Sequence, residues 1–227
     1  MTDSSRAARQ KPRRRPLQAR SWATSLAVQE AFVRVLLERG YDGVTIREVA
    51  AVAGVGIGTF YAYFPNKEAL AAVCLRTRMK AVVTGLAELS EPGGAAAPAA
   101  LADAMLDRMV AQFAGNAAQW QALLHLERRI STPEAYARLY RMATDMWAAA
   151  LRRALRQEQP GRPEQAAALE QLAWMVHTAS YALLTQRIMQ DGPKTDAAAL
   201  RRQLGVLVHA CLAAEDCRQP PEAGGAC

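Results

Sequence analysis

Residues 43–70 read GVTIREVAAVAGVGIGTFYAYFPNKEAL, and the order of caps, apolar residues and glycines in this stretch decides the fold. Thr45-Ile-Arg-Glu48 has the form of a capping box, in which the threonine accepts from the N–H three residues on and the glutamate reaches back. It opens a short helix over Thr45–Ala53 that packs through Ile46, Val49 and Ala50 and is closed by Gly54. A second short helix fits Gly56–Tyr63, and the spacing of Phe60 and Phe64 turns both rings inward. Two short helices joined by Ala53-Gly54-Val55-Gly56 make a helix-turn-helix pattern, whose second helix is presented to a DNA major groove. Pro65 and Asn66 punctuate, and Asn66 caps a long helix from Lys67 to about Leu89.

Upstream, a helical pattern starts near Trp22 or Ser25 and stops at Gly40, a suitable residue just past a helix end. Residues 1–21 read as a disordered basic arm, with Pro12 and Pro16 interrupting a run of Arg and Lys. Downstream, SEPGGAAAP at 90–98 is a linker. Helices are then expected over 98–114, from after Asn116 to Ile130, from Pro133 to Gln157, from Glu164 to Gln190, and from a Thr195-Asp196 cap to about Ala214. The expectation is an all-α chain of about nine helices. Its domains are a helix-turn-helix domain at 22–66, a connecting helix at 67–89, a larger helical domain at 90–215 and a disordered tail at 216–227.

Composition agrees. The 227 residues include 48 alanines and only 6% aromatics, and alanine favours helices where strands want β-branched and aromatic residues. Uncharged stretches such as Gln171–Gln186 contain Gln, His and Thr and fall short of the ~20 mainly apolar residues a bilayer span needs. No apolar secretory core follows the basic N-terminus. Cys74, Cys211, Cys217 and Cys227 show neither zinc spacing nor a CxxC pair, so they read as free thiols of a reducing cytoplasm, with no metal and no cofactor.

Charge is the first functional clue. Residues 1–80 hold fourteen bases and six acids, while 81–227 hold fourteen bases and fifteen acids. The whole excess of this +7 chain lies in its first third, beside the helix-turn-helix. A basic segment on a neutral remainder suggests a polyanion partner, with double-stranded DNA the default.

Thr45, Glu48-Val-Ala50, Ala53-Gly54-Val55, Gly58-Thr-Phe-Tyr61, Tyr63-Phe64 and Asn66-Lys67-Glu68-Ala69-Leu70 closely resemble the N-terminal signature of the TetR family of transcriptional regulators. The resemblance covers about residues 22–80. It implies a homodimer in which the first helices bind a pseudo-palindromic operator and later helices enclose a small-molecule pocket. In most such proteins the ligand releases the operator, and some members activate. Carried over by position, Thr45 and Arg47 meet phosphate or base, and Gly56, Ile57 and Gly58 open the recognition helix. Thr59, Tyr61 and Tyr63 line its DNA face, and Lys67 stands near a phosphate. Arg13, Arg14 and Arg15 of the arm are flexible enough to enter an adjacent A·T-rich minor groove. Gly56 departs from the Ser or Thr often found there, so the recognition helix has few base-reading donors.

The rival class is an enzyme. His125, His177 and His209 lie on three separate helices without HExxH, GxSxG, P-loop or GxGxxG sequences, so no catalytic residue is expected. A helical sensing protein with only non-specific nucleic-acid contacts is the other alternative. Large adaptable side chains mark an expected ligand pocket at Met109, Phe113, Trp120, Leu124, Met146, Trp147, His177 and Tyr181. The helix 164–190 and the last helix are each apolar on two sides, so one side of each is expected to face a second subunit. That interface is expected at Leu169, Leu172, Val176, Leu183, Leu204, Leu207, Val208 and Cys211.

Overall fold

The computed structural model describes residues 15–90, 97–155 and 163–216. Arg13, Arg14 and most of the basic arm lie outside these, as do the centre of the 90–98 linker, the 159–162 break and residues 217–227. Among the described residues there are nine α-helices and no strand. They divide between two compact units, Met1–Leu70 and Ala71–Cys227. No described helix is long and apolar enough to cross a membrane.

The first unit holds α1 (Arg15–Gly43), α2 (Ile46–Val52), α3 (Ile57–Tyr63) and the start of α4 (Lys67–Ala87). Helix α1 begins at Arg15, ahead of the expected start near Trp22, so residues 15–21 are helical rather than disordered. Pro16 is compatible with this, because a proline in the first turn lacks only an N–H that would have no helical partner. Gly40, at φ 66° and ψ 166°, breaks the helix in a conformation that side-chain-bearing residues rarely adopt. Val28, Phe32, Val35 and Leu36 of α1 are buried, as are Val44, Val49, Ala50, Phe60 and Phe64. α1 packs on α2, and α2 on α3.

In the second unit α4 ends in a 3₁₀ turn at Glu88–Ser90. It is followed by α5 (Pro98–Ala114), α6 (Ala117–Ile130), α7 (Pro133–Ala154), α8 (Pro163–Asp191) and α9 (Ala197–Asp216). Caps fix the starts: Thr132 Oγ1 accepts from Ala135 N at 3.2 Å, and Asp196 Oδ1 from Ala199 N at 2.9 Å. Helix α5 buries Leu101, Met105, Leu106, Met109 and Phe113, the three-and-four spacing of a single apolar stripe. Helix α8 is central, packing against α5, α6, α7 and α9. Arg201 of α9 bonds both Asp103 and Asp107 of α5, and His209 reaches Asp103 at 3.0 Å. Arg201 is half-buried but Asp103, Asp107 and His209 are exposed, so the clamp contributes only about 0–1 kcal/mol per pair.

Candidate nucleic-acid interface and inner cavity

The turn between α2 and α3 is made by Gly54 at φ 68°, the left-handed conformation that glycine adopts without strain. Thr45 caps α2 through a bond from Glu48 N to its Oγ1 at 3.2 Å. The reciprocal half of the capping box is replaced: the Glu48 carboxylate lies 3.0 Å from Arg39 Nη2 of α1. With its inner face held by Phe60, α3 leaves Gly56, Ile57, Gly58, Thr59 and Tyr61 exposed, while Tyr63 is half-buried. Thr45 and Arg47 are exposed as well. A Cβ at Gly58 would meet nothing within 4 Å, and one at Gly56 only Thr59 Oγ1 at 4.0 Å. Neither glycine is required by packing within the protein.

Lys67 stands differently from the expectation. Its Nζ donates to Tyr41 O at 3.0 Å and Val44 O at 3.2 Å and lies 4.5 Å from the centre of the Tyr41 ring. The ammonium binds the carbonyls of the α1–α2 turn. The physical reason is that these carbonyls have left the α1 ladder at the Gly40 break and need donors.

In the second unit a cavity of about 40 Å³ is walled by α4, α5, α7 and α8. Of the expected pocket residues, Met109, Phe113, Met146, Trp147, His177 and Tyr181 line it. Trp120 does not. It stacks on Phe113 with ring centres 4.2 Å apart and donates Nε1–H to Gln112 O at 3.1 Å, so it supports the wall from behind. Leu124 lines instead an adjoining open groove of about 510 Å³. Glu127, Tyr136, Tyr140 and Tyr181 border both spaces.

Sequence reasoning missed Glu127 and the α4 contribution of Met79, Val82, Val83 and Leu86. Helix α4 has no one-sided apolar pattern to betray which face meets a cavity. Glu127, only 7% exposed, follows Leu123, Leu124 and Leu126 on α6, and that apolar face was the available signal. Burial pushes the Glu127 carboxyl up, with the Tyr181 hydroxyl and Arg128 pulling it back. Burial also holds the His177 imidazole down to about 4, so it is neutral at pH 7. Tyr140 Oη bonds Thr178 Oγ1, which donates to Trp174 O at 2.6 Å.

Residues 30–74 match the family model of bacterial regulatory proteins, tetR family. That match spans the helix-turn-helix and 45 of the 227 residues. Solved structures of similar fold include a protein described as a TetR-family transcriptional regulator from Mesorhizobium loti, 20% identical, with TM-score 0.66, covering 86% of this chain and 98% of that one. The fatty acid degradation regulator FadR from Bacillus halodurans is 21% identical, with TM-score 0.62, and covers 82% and 94%. FadR from Bacillus subtilis, solved in complex with stearoyl-CoA, is 18% identical, with TM-score 0.59, and covers 81% and 96%. Among curated proteins no match was found.

The expected dimer face requires correction. Leu169, Leu172, Val176, Leu204 and Val208 are buried within the chain itself. On α9, Leu200, Leu204 and Val208 fall four apart on one row, and that row is the face turned toward its own unit. Leu183 and Cys211 are half-buried. The apolar side chains that face outward are Trp174 of α8, 48% exposed, with Val206 and Leu207 of α9, 72% and 39% exposed.

Proposed function

We propose that this chain is a homodimeric repressor that occupies a pseudo-palindromic operator and leaves it when a small molecule enters the α4–α8 cavity. The observation that carries the reading is the course of α4. Its first residues belong to the DNA-binding unit and its later residues Met79, Val82, Val83 and Leu86 wall the cavity, so a guest presses on the helix that leads into the DNA head. A protein of similar fold, FadR from Bacillus subtilis, was solved in complex with stearoyl-CoA, which supports a small-molecule-binding role. In this reading Thr45 and Arg47 contact the backbone, as does the half-buried Tyr63, and Ile57, Thr59 and Tyr61 face base edges. Ile57 rewards a thymine methyl. Arg13, Arg14 and Arg15 add charge and a preference for A·T-rich flanks. Trp174, Val206 and Leu207 face the second subunit.

Footprinting on the DNA flanking the gene is the deciding experiment. A short protected palindrome, with transcription rising when the gene is deleted, is the expected result. Protection without sequence preference would reduce the chain to a non-specific binder, and falling transcription on deletion would make it an activator.

A further inference from the structure

Among the described residues Glu127 is the one buried charged side chain, and it stands where the inner cavity opens into the groove. Its carboxylate has one hydrogen-bond partner, the Tyr181 hydroxyl, which donates to Oε2 at 3.3 Å. Among the described residues no cation lies within ion-pair distance; Arg128, the next residue, lines the same groove and acts on the carboxyl only from a distance. A carboxylate removed from water without a direct ion-pair partner is costly, and a cation brought beside it offsets that cost.

The walls around it narrow the kind of cation. The rings of Tyr136, Tyr140, His177 and Tyr181 form a continuous arc, with successive centres 5.9, 4.7 and 5.5 Å apart, and the arc closes on Glu127 through Tyr181. Tyrosine faces attract organic cations. The cavity beyond is apolar, walled by Met79, Val82, Leu86, Met109 and Phe113, which disfavours a strongly hydrated inorganic ion. The Trp147 indole N–H in the same cavity is buried with no partner, a second sign that a guest completes the polar groups here.

We propose that the effector is an apolar organic cation of the alkyl- or arylammonium class. Its positive nitrogen pairs with Glu127 within the Tyr136–Tyr140–His177–Tyr181 arc, and its apolar body lies in the adjoining groove and reaches toward the cavity beside α4. The proposal rests on the reading that this cavity is the effector site. An anionic head group is opposed by the Glu127 carboxylate.

The test uses full-length protein and four probes below their micellar concentrations: decyltrimethylammonium, decanol, decanoate and decanoyl-CoA. Calorimetry measures binding, and fluorescence anisotropy measures release of the footprinted operator. The expected result is that the ammonium binds at least tenfold tighter than the other three and releases the DNA. Glu127→Gln should abolish that preference while leaving decanol binding within about twofold. Should Glu127→Gln fail to fold, Tyr136→Leu, at an exposed ring, should lower affinity for the ammonium at least threefold and leave decanol unchanged. Tighter binding of decanoate or decanoyl-CoA overturns the proposal, as does an ammonium preference that survives both substitutions. A protein that prefers the ammonium but protects no palindrome refutes the repressor and keeps the cation site. A protein released from its palindrome only by the neutral or anionic probes does the reverse.

Discussion

Two cations of the DNA head, twenty residues apart, have different employment. Arg47 is exposed and available to the phosphate backbone, whereas Lys67 is held by two carbonyls and a ring. Arg47→Ala should therefore flatten the dependence of log affinity on log salt by about 0.9 with little change in melting temperature. Lys67→Ala should instead destabilise the fold by about 1–3 kcal/mol, since two bonds from a charged donor are lost and the Val44 carbonyl is left short, while Tyr41 O keeps the Val44 N–H. Operator titrations at four salt concentrations, paired with thermal melts, separate the two; a Lys67 variant with unchanged melting would contradict the assignment. The motif placed Lys67 at the head of α4, but the acceptors it binds lie 26 and 23 residues away, and no local pattern encodes such a partner. His177 gives a further residue-scale expectation. Its imidazole titrates near 4 when folded against 6.5 as a free group. Between these values the unfolded chain takes up a proton that the folded chain refuses. Stability should fall as pH drops through that window, by at most about 3 kcal/mol. Glu127, whose carboxyl is pushed up, works in the opposite direction on acidification. Urea midpoints at pH 7, 5.5 and 4.5 should show a steeper acid loss for the wild type than for His177→Phe. Equal slopes would mean that His177 is protonated inside the fold.

At the scale of an element, α3 trades its own stability for an open face. Gly58 lies in the first turn of α3, where alanine is better by roughly 0.5 kcal/mol, and no neighbouring atom of the protein prevents the exchange. Gly58→Ala should raise the melting temperature slightly and weaken operator binding severalfold, because the added methyl stands on the side offered to the groove. Unchanged affinity would place the close approach elsewhere along α3. The helices themselves were legible because their signals are local. Thr45, Asn66, Thr132 and Asp196 each cap the helix that their spacing announced. The sides of the late helices were not legible. Helix α8 is apolar on two sides, and periodicity cannot say which side belongs to the chain's own core, so Leu172 and Val176 were assigned to the wrong one.

For the whole molecule, the outward apolar residues give a sharper test of assembly. Trp174→Glu and Leu207→Glu should each yield folded monomers at micromolar concentration, measured by analytical ultracentrifugation. Both should lose most operator affinity, since a dimer is what sets two recognition helices about 34–36 Å apart, one turn of DNA. Leu172→Glu, by contrast, should unfold the second unit, as a buried charge has no partner there. Dimeric Trp174→Glu and Leu207→Glu proteins would move the interface off this face.

The division of the chain falls between Leu70 and Ala71, inside an unbroken helix rather than in a loop. Recombination between relatives at that point would exchange the first unit whole and leave the second untouched. The splice has a reading frame of its own, however. Each residue gained or lost at the seam turns everything beyond it by about 100° and shifts it by about 1.5 Å. Chimaeras joined at equal α4 length should keep their response, while those one residue out should keep DNA binding and effector binding yet lose the link between them.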